Sequence, residues 1–172
     1  QDHQMLEALN DLVLLVQQAE RLVEMYEAVV PNSANMGSED MSDLKKRGLK
    51  ILRDAVGDET ADFHEHQWEA IEQLVEEQKR LLVVQRTGWG KSAVYFIATR
   101  LLREWGAGPS IIISPLLALM RNQVESAASF GVRLGTINSA QSRDDNKNAE
   151  AALINDELDA VIISPERLAN VD

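Results

Sequence analysis

The 172-residue chain contains no cysteine, which excludes disulfide bridges and thiolate metal sites. Its longest apolar stretch, from Ile111 to Met120, is interrupted by Ser114-Pro115 and is too short to cross a bilayer. The N-terminus also lacks the basic start and apolar core of a signal peptide. Together these absences predict a cytoplasmic protein without a zinc module.

Basic side chains are scarce, since 17 Lys and Arg stand against 28 Asp and Glu and give a net charge of -11. The acidic excess falls in residues 1–78, whereas residues 79–172 are nearly balanced. A near-neutral region can still bring a few Arg or Lys side chains to a DNA backbone. The net charge therefore neither supports nor excludes a nucleic-acid partner.

The N-terminal part is predicted to be helical. Residues 4–30 place apolar side chains at helical spacing among Glu and Gln, which predicts an amphipathic helix. The small and polar residues of 31–43 predict a flexible linker, and a second helix is predicted from about Ser42 to Gly57. We therefore expect a helical extension and linker over residues 1–43, followed by a separate domain over residues 44–172.

Helix and strand patterns alternate from Phe63 onward, which predicts an α/β fold with a parallel sheet flanked by helices. The predicted helices cover residues 65–78, 91–104, 116–129 and 144–155. The predicted strands cover residues 81–84, 110–114, 132–137 and 158–163. Ligands of such sheets gather at the carboxyl ends of the strands.

A glycine-containing loop, Gln-Arg-Thr-Gly-Trp-Gly-Lys-Ser, occupies residues 85–92 between a predicted strand and a predicted helix. Gly88 and Gly90 would let the backbone approach a bulky anion, and the amides and dipole of the helix N-terminus would add positive potential. Lys91 would reach the β and γ phosphates of a nucleotide, and Ser92 would ligate Mg²⁺. The loop therefore predicts a site for ATP and Mg²⁺.

Two features depart from a complete ATPase site. The strict phosphate-loop pattern has glycine where this chain has Gln85, and no Asp-Glu pair lies on an apolar strand. Asp144-Asp145 and Asp156-Glu157 lie in or beside a polar helix, so we interpret them as solvated surface. Because phosphoryl transfer needs an acidic magnesium ligand and a cation at the leaving charge, we expect the chain alone to bind ATP without hydrolysing it.

Two predicted strands end in the same dipeptide, Ser114-Pro115 and Ser164-Pro165. Serine followed by proline suits the N-cap and the first residue of a helix. The helix amides exposed at this edge could hold the phosphates of a nucleic-acid backbone. Capping chemistry alone is the simpler explanation of either pair taken separately.

Five segments in order resemble the motifs of the first motor domain of the RecQ-family DNA helicases of superfamily 2. They are Phe63-His64-Glu65-His66-Gln67, Thr87-Gly88-Trp89-Gly90-Lys91-Ser92, residues 114–124, Ile137-Asn138-Ser139 and Ser164-Pro165-Glu166-Arg167-Leu168. The resemblance covers roughly residues 44–171. It implies part of a RecA-like domain of the P-loop NTPase class, in an ATP-dependent helicase that moves 3′ to 5′ on DNA during repair or recombination.

The resemblance also implies roles for individual residues. ATP would be bound by Gln67, Thr87, Gly88, Trp89, Gly90, Lys91 and Ser92, with Gln67 reading adenine, Lys91 also catalytic and Ser92 on the metal. DNA would be bound by Ser114, Pro115, Arg121, Asn138, Ser139, Ser164 and Arg167. The chain departs from the family at Trp89, where glycine is usual, and at 64–66, where Arg-Pro-Gly is common.

Aromatic and histidine side chains give weaker signals. We interpret Trp68 and Trp105 as packing residues, and we expect Trp89 to extend from an exposed loop over the nucleotide. His64 and His66 have no third ligand nearby and are expected to face solvent rather than bind a metal.

Two other functions compete with a helicase. One is a catalytically silent nucleotide-binding module that docks a partner through its acidic N-terminal helix. The other is a small phosphotransferase, although the sequence shows no acceptor site or lid. An incomplete sheet would leave an exposed edge, which predicts a tendency to self-associate.

Overall fold

The computed structural model describes residues 41–86, 88–115 and 117–169. The predicted helix over 4–30 and most of the predicted linker lie outside the described residues. The helices are α1 Met41–Val56, α2 Gln67–Val75, α3 Lys91–Glu104, α4 Leu117–Ser129, α5 Arg143–Ile154 and α6 Pro165–Ala169. The strands are β1 Ser110–Ile113, β2 Leu134–Ile137 and β3 Ala160–Ile163.

The three strands form one parallel sheet in the order β1, β3, β2, with β3 in the centre. Ser110 of β1 and Leu134 of β2 both align with Ala160 of β3. Val161 and Ile162 are buried. This burial was predicted, because a run of β-branched residues is typical of a strand covered on both faces. The predicted parallel α/β fold is therefore confirmed.

The strand predicted over residues 81–84 is absent. The segment runs without β-pairing, and Leu82 and Val84 are 89% and 81% exposed. Its residue types favour a strand, but a strand also needs a neighbour for its backbone N–H and C=O groups. None of the described strands pairs with this segment, so the predicted strand does not form although its residue types favour one.

Two apolar clusters hold the described residues together. In the first, α1 packs against α2 and α3 through buried side chains such as Leu44, Trp68 and Ile97. Gly48 permits this contact, because a Cβ atom there would lie 2.8 Å from Trp68 Cζ3. In the second, Phe96 of α3 packs with buried residues of the sheet and of α4.

Helix α1 crosses the predicted domain boundary. Helix α1 begins at Met41, so a boundary between residues 43 and 44 falls within its first turn, and the division into two parts stays a prediction.

Among the described residues, no helix combines the length and apolar character that a membrane span requires.

An ion-pair network joins α3 to the amino end of β3. Asp159 accepts hydrogen bonds from Arg133 Nη2 at 2.7 Å, from Arg133 N at 2.8 Å and from Arg103 Nε at 3.2 Å. Its side chain is 10% exposed. Burial by itself raises the pKa of Asp159, but the hydrogen bonds from Arg133 and Arg103 outweigh it and lower the pKa to about 2.

Candidate nucleotide and nucleic-acid site

The contacts of α3 place the phosphate loop at the carboxyl edge of the sheet. Thr99 Oγ1 donates to Ser110 Oγ at 2.8 Å, where β1 begins, and Arg103 contacts Asp159, where β3 begins. The C-terminal half of α3 therefore lies at the amino ends of the strands. Because Lys91 precedes Thr99 by about 12 Å of helix, the start of α3 lies toward the carboxyl ends, where ligands of parallel sheets bind.

Gly88 and Gly90 give the loop its shape. Both have positive φ, 83° and 91°, a conformation that glycine adopts without strain. A Cβ atom on Gly90 would also lie 2.5 Å from Gln67 Nε2. Glycine at position 90 is thus required both by the backbone and by the glutamine that packs against it.

The side chain of Lys91 folds back onto the backbone of the loop. Lys91 Nζ donates to the carbonyl oxygen of Gln85 and, at 3.0 Å, to that of Arg86. The ammonium group therefore lies inside the curve of the loop, where the phosphates of a nucleotide would bind. A bound phosphate would accept hydrogen bonds from Lys91 Nζ in place of these two carbonyl oxygens. Thr87 lies outside the described residues.

Gln67 joins the start of α2 to the phosphate loop. Its side chain is buried, and Oε1 accepts from His64 N at 2.8 Å. Nε2 donates to the carbonyl oxygens of Trp89 at 2.9 Å and Gly90 at 3.3 Å. Both polar atoms of the amide are thus engaged, so reading adenine requires this side chain to exchange loop contacts for base contacts.

The Trp89 ring lies in the core beneath the loop. Its side chain is 7% exposed and belongs to the core cluster that contains Trp68 and Ile71. The indole Nε1 donates to the carbonyl oxygen of Glu65 at 3.2 Å. The ring is buried because the apolar surface under the loop removes it from water, and a contact of Trp89 with a bound nucleotide stays a prediction.

A hydrogen bond connects the helix that follows the loop to α4. The Tyr95 hydroxyl donates to Gln123 Oε1, which links α3 to α4. Burial raises the pKa of Tyr95, and the Ser92 side chain offsets this in part. Ser92, the predicted magnesium ligand, lies on the first turn of α3, the helix that also carries Tyr95.

A cleft of about 500 Å³ opens beside the loop. Leu52 and Val56 of α1 and Phe130 after α4 form apolar parts of its wall, and Gln67 and Ser92 contribute polar atoms. An apolar cleft with a few convergent polar groups is the usual form of a small-molecule site. A nucleotide base therefore has room next to the phosphate loop.

Polar side chains follow all three strands at this edge. Ser114 N donates to Ile163 O at 3.1 Å, and Ser164 N donates to Ile137 O at 3.2 Å, so each backbone is held by the next strand. The fully buried Ser164 Oγ has no hydrogen-bond partner, and the side-chain cap predicted from its sequence is therefore absent.

The two Ser-Pro pairs differ in their relation to the helices. Pro165 is the first residue of α6, as predicted, whereas α4 begins at Leu117, two residues after Pro115. The prediction of proline at the first helical position is thus confirmed for the second pair and wrong for the first. The two similar dipeptides do not build the same helix start.

The remaining residues of the predicted DNA surface differ in exposure. Pro115, Arg121 and Ser139 are exposed, and Arg167 is partly exposed with its guanidinium 3.7 Å from Glu150 Oε1. Arg121 and Ser139 are thus the predicted residues with polar side chains that a ligand at this edge would meet first.

Asn138 is buried in the loop that follows β2. Its Oδ1 accepts from Ala140 N at 3.0 Å, and its Nδ2 donates to Gln141 Oε1 at 3.0 Å. Asn146 of α5 holds its backbone. Sequence patterns alone do not indicate Asn146, because an asparagine in a polar helix has the pattern of an exposed residue.

The acidic pairs considered in the sequence include exposed and ion-paired side chains. Asp144 and Asp145 are exposed in the first turn of α5, where Asp145 accepts from Ser142 Oγ. Asp156 Oδ1 lies 2.6 Å from Arg103 Nη2, at the amino end of the strands. Within the described ranges, no three His, Cys, Asp or Glu side chains are grouped to hold a metal ion.

The chain is similar to known helicases. A family model described as DEAD/DEAH box helicase matches residues 64–172. The ATP-dependent DNA helicase RecQ of Haemophilus influenzae is 31% identical over 124 residues, which are 72% of this chain and 19% of that protein. RecQ of Bacillus subtilis is 32% identical over 110 residues, 64% of this chain and 18% of that protein.

A solved structure shares the fold. It is described as a hypothetical ATP-dependent RNA helicase from Sulfolobus tokodaii, and it matches with a TM-score of 0.54 at 20% identity. The match covers 75% of this chain and 35% of that chain, and at this identity it shows the fold alone. The chain spans about a fifth of the length of the RecQ relatives named above. The predicted resemblance to RecQ helicases and the RecA-like fold are confirmed.

Proposed function

The chain belongs to the DEAD/DEAH box helicase family, and from this premise we propose that it is part of an ATP-dependent DNA helicase of RecQ type. The observation that carries the proposal is the position of the phosphate loop. It lies at the head of α3, toward the same sheet edge as Ser114, Asn138 and Ser164. One edge of the sheet thus brings a nucleotide cradle next to a surface suited to a nucleic-acid backbone.

ATP binds through the loop in this proposal. The phosphates lie against the amides of residues 88–92, and Lys91 leaves the carbonyl oxygens of Gln85 and Arg86 to contact them. The base occupies the cleft between α1 and the loop, with Gln67 as its polar contact. A glutamine amide can pair with the N6 and N7 edge of adenine, which favours ATP over other nucleotides.

Ser92 fits a magnesium ion that arrives with ATP. Mg²⁺ keeps several waters and phosphate oxygens, so one protein hydroxyl on the first turn of α3 is a suitable ligand. The bound ion would neutralise charge on the phosphates. In this proposal Lys91 supplies the second positive charge.

DNA binds through its backbone at the carboxyl edge. Arg121 and Ser139 are exposed there and can contact phosphates, which positions the strand without reading its sequence. Movement from 3′ to 5′, a role in repair or recombination, and a cytoplasmic location are parts of the proposal that follow from the RecQ resemblance and the composition.

The 172 residues alone are expected to bind ATP without turning it over. The test is an ATP hydrolysis assay with and without single-stranded DNA, run beside a binding assay with a fluorescent ATP analogue. Binding of the analogue and of DNA, with no phosphate release, supports the proposal. Phosphate release that DNA stimulates contradicts the expected inactivity, and absence of both binding events contradicts the proposed site.

Self-association through a sheet edge is a further part of the proposal. β1 and β2 are the outer strands of the described sheet, and Ile111 of β1 is 44% exposed. Outer strands offer unpaired backbone groups to another chain. Light scattering is expected to give a mass that rises with protein concentration, whereas a constant monomer mass would contradict this part.

A further inference from the structure

The loop between β2 and α5 is held by a residue that none of the predicted motifs contains. Asn146 is 5% exposed, and its amide pairs with the backbone of Asn138 in both directions. Oδ1 accepts from Asn138 N at 3.1 Å, and Nδ2 donates to Asn138 O at 3.0 Å. The side chain of Asn146 thus replaces a neighbouring strand at the point where β2 has ended.

This pairing satisfies two buried backbone groups. β2 ends at Ile137, whose carbonyl oxygen accepts from Ser164 N, and Asn138 lies beyond the last paired residue. Asn138 is 8% exposed, so water does not readily reach its N–H and C=O groups. An asparagine amide carries one donor and one acceptor side by side, which is what this backbone needs.

The same contacts fix the rest of the loop. Because the backbone of Asn138 is held, its side chain can bind Ala140 N and Gln141, and Gln141 Nε2 in turn donates to Thr136 Oγ1 at 2.8 Å. The hydrogen bonds run from α5 through the loop and back to β2. Ser139 remains exposed at the tip, at the carboxyl edge of the sheet.

The helix that carries Asn146 is itself anchored at its start. Ser142 Oγ accepts from Asp145 N at 3.0 Å and donates to Asp145 Oδ2 at 2.7 Å, which caps α5. The loop is therefore fixed at both ends, by the sheet through Gln141 and by the capped helix through Asn146. A loop fixed in this way presents its tip to a ligand without a cost for ordering.

We propose that Asn146 is a positioning residue for nucleic-acid binding, which holds the loop of residues 138–142 so that the Ser139 hydroxyl meets a phosphate of the DNA backbone. Asn146 does not touch the nucleic acid and acts through Asn138. The inference rests on the proposed function, because it needs DNA at this edge of the sheet.

The test measures binding of a fluorescently labelled single-stranded DNA to the 172-residue chain at several salt concentrations. Asn146→Ala removes both contacts with Asn138, and Asn146→Asp keeps the acceptor for Asn138 N but loses the donor. Asn148→Ala is the matched control, because Asn148 lies on the same helix with its side chain exposed. Affinity for a fluorescent ATP analogue is measured on every variant as a check of the phosphate loop.

Asn146→Ala is expected to weaken DNA binding at least fivefold, and Asn146→Asp at least as much, because a buried carboxylate oxygen would face Asn138 O, while Asn148→Ala and every affinity for the ATP analogue stay unchanged. The slope of log K against log salt should stay unchanged, because the Ser139 hydroxyl is neutral and its phosphate contact releases no counterion. A smaller slope would mean that a basic side chain makes the lost contact, which would contradict the proposed role of Ser139.

Three further results would overturn the inference. If the unaltered chain binds DNA and Asn146→Ala binds it as well as Asn148→Ala does, Asn146 has no positioning role. If Asn146→Ala and Asn146→Asp lose affinity for DNA and for the ATP analogue together, Asn146 only stabilises the fold. If the unaltered chain binds the ATP analogue but no DNA, the DNA part of the proposed function fails together with the inference.

Discussion

Residues 81–84 and strand β3 have similar sequences and opposite environments. Leu-Leu-Val-Val at 81–84 is unpaired, with two side chains more than 80% exposed, whereas Ala-Val-Ile-Ile at 160–163 is the buried centre of the sheet. Both runs have the residue types that strands favour. The difference lies in their neighbours, since β3 pairs with β1 and β2 while the described structure gives residues 81–84 no strand to pair with.

The comparison separates two halves of the site. The proposed nucleic-acid edge is built on paired strands, and its loop after β2 is held by the side-chain amide of Asn146. The phosphate loop follows an unpaired segment and is held instead by Gln67, Trp89 and its own Lys91. We therefore expect the first half to be rigid without ligand, and the second half to rearrange when a nucleotide binds.

The largest effect is expected from Asp159→Ala, because it removes the charge that anchors the start of β3. The change leaves Arg103, whose side chain is 14% exposed, without this buried partner. We expect a loss of about 3 kcal/mol in the free energy of unfolding. Urea denaturation measures it, with the exposed Asp144→Ala as a control that should change stability by less than about 0.5 kcal/mol. An Asp159→Ala variant as stable as this control would contradict the anchor.

A matched pair of valine substitutions tests the comparison itself. Val161→Ala in β3 should cost about 2 kcal/mol, because it removes buried methyl groups and leaves a cavity. Val84→Ala removes the same atoms from a side chain that is 81% exposed, and should change stability by less than about 0.5 kcal/mol. Thermal or urea unfolding of the two variants gives the difference. Equal losses would mean that residues 81–84 are buried in solution.

The pH dependence of stability follows from the same aspartate. The pKa of Asp159 is about 2 in the folded chain, below its ordinary value of 3.8. Its contribution, about 2 kcal/mol, is therefore present above pH 4 and is lost as the pH falls from about 4 through 2. Unfolding should be measured across this range for the original chain and for Asp159→Asn. The variant should lack this part of the pH dependence, and identical pH profiles would contradict the assignment.

The smallest effect is expected at the phosphate loop. Trp89→Phe keeps an aromatic ring in the core cluster but removes the N–H that donates to Glu65 O. We expect a loss of about 1 kcal/mol in stability, together with a change in intrinsic fluorescence. In the original chain the Trp89 signal should also shift when a nucleotide binds, because the loop rearranges. A nucleotide-dependent signal of the same size in Trp89→Phe would assign the shift to another tryptophan.

Much of the fold could be predicted from the sequence, because periodicity reports burial. The helix predicted over residues 91–104 has the same bounds as α3. β3 is mostly β-branched, a pattern that favours a buried strand. The absence of a strand at residues 81–84 could not be predicted, because pairing depends on residues far away in the chain. The same pattern therefore gave one correct strand and one wrong strand.

The residue types of the candidate site could be predicted better than the contacts that these residues make. Glycine at 88 and 90 followed by Lys91 indicates a phosphate loop, and the positive φ angles agree with it. That Trp89 is buried depends on an apolar surface under the loop, which no local pattern describes. Asn146 was missed for a similar reason, since its partner lies eight residues away and only the fold brings the two together.

Lys91 is proposed to hold nucleotide phosphates in this loop. The most direct measurement is a titration of the chain, Lys91→Ala and the control Lys147→Ala with a fluorescent ATP analogue in the presence of Mg²⁺. Lys147 is exposed on α5 and contributes nothing to the proposed nucleotide site. We predict that Lys91→Ala weakens binding at least tenfold, about 1.4 kcal/mol, while Lys147→Ala binds like the original chain. Equal affinity of all three proteins, or no binding by any of them, would contradict the claim.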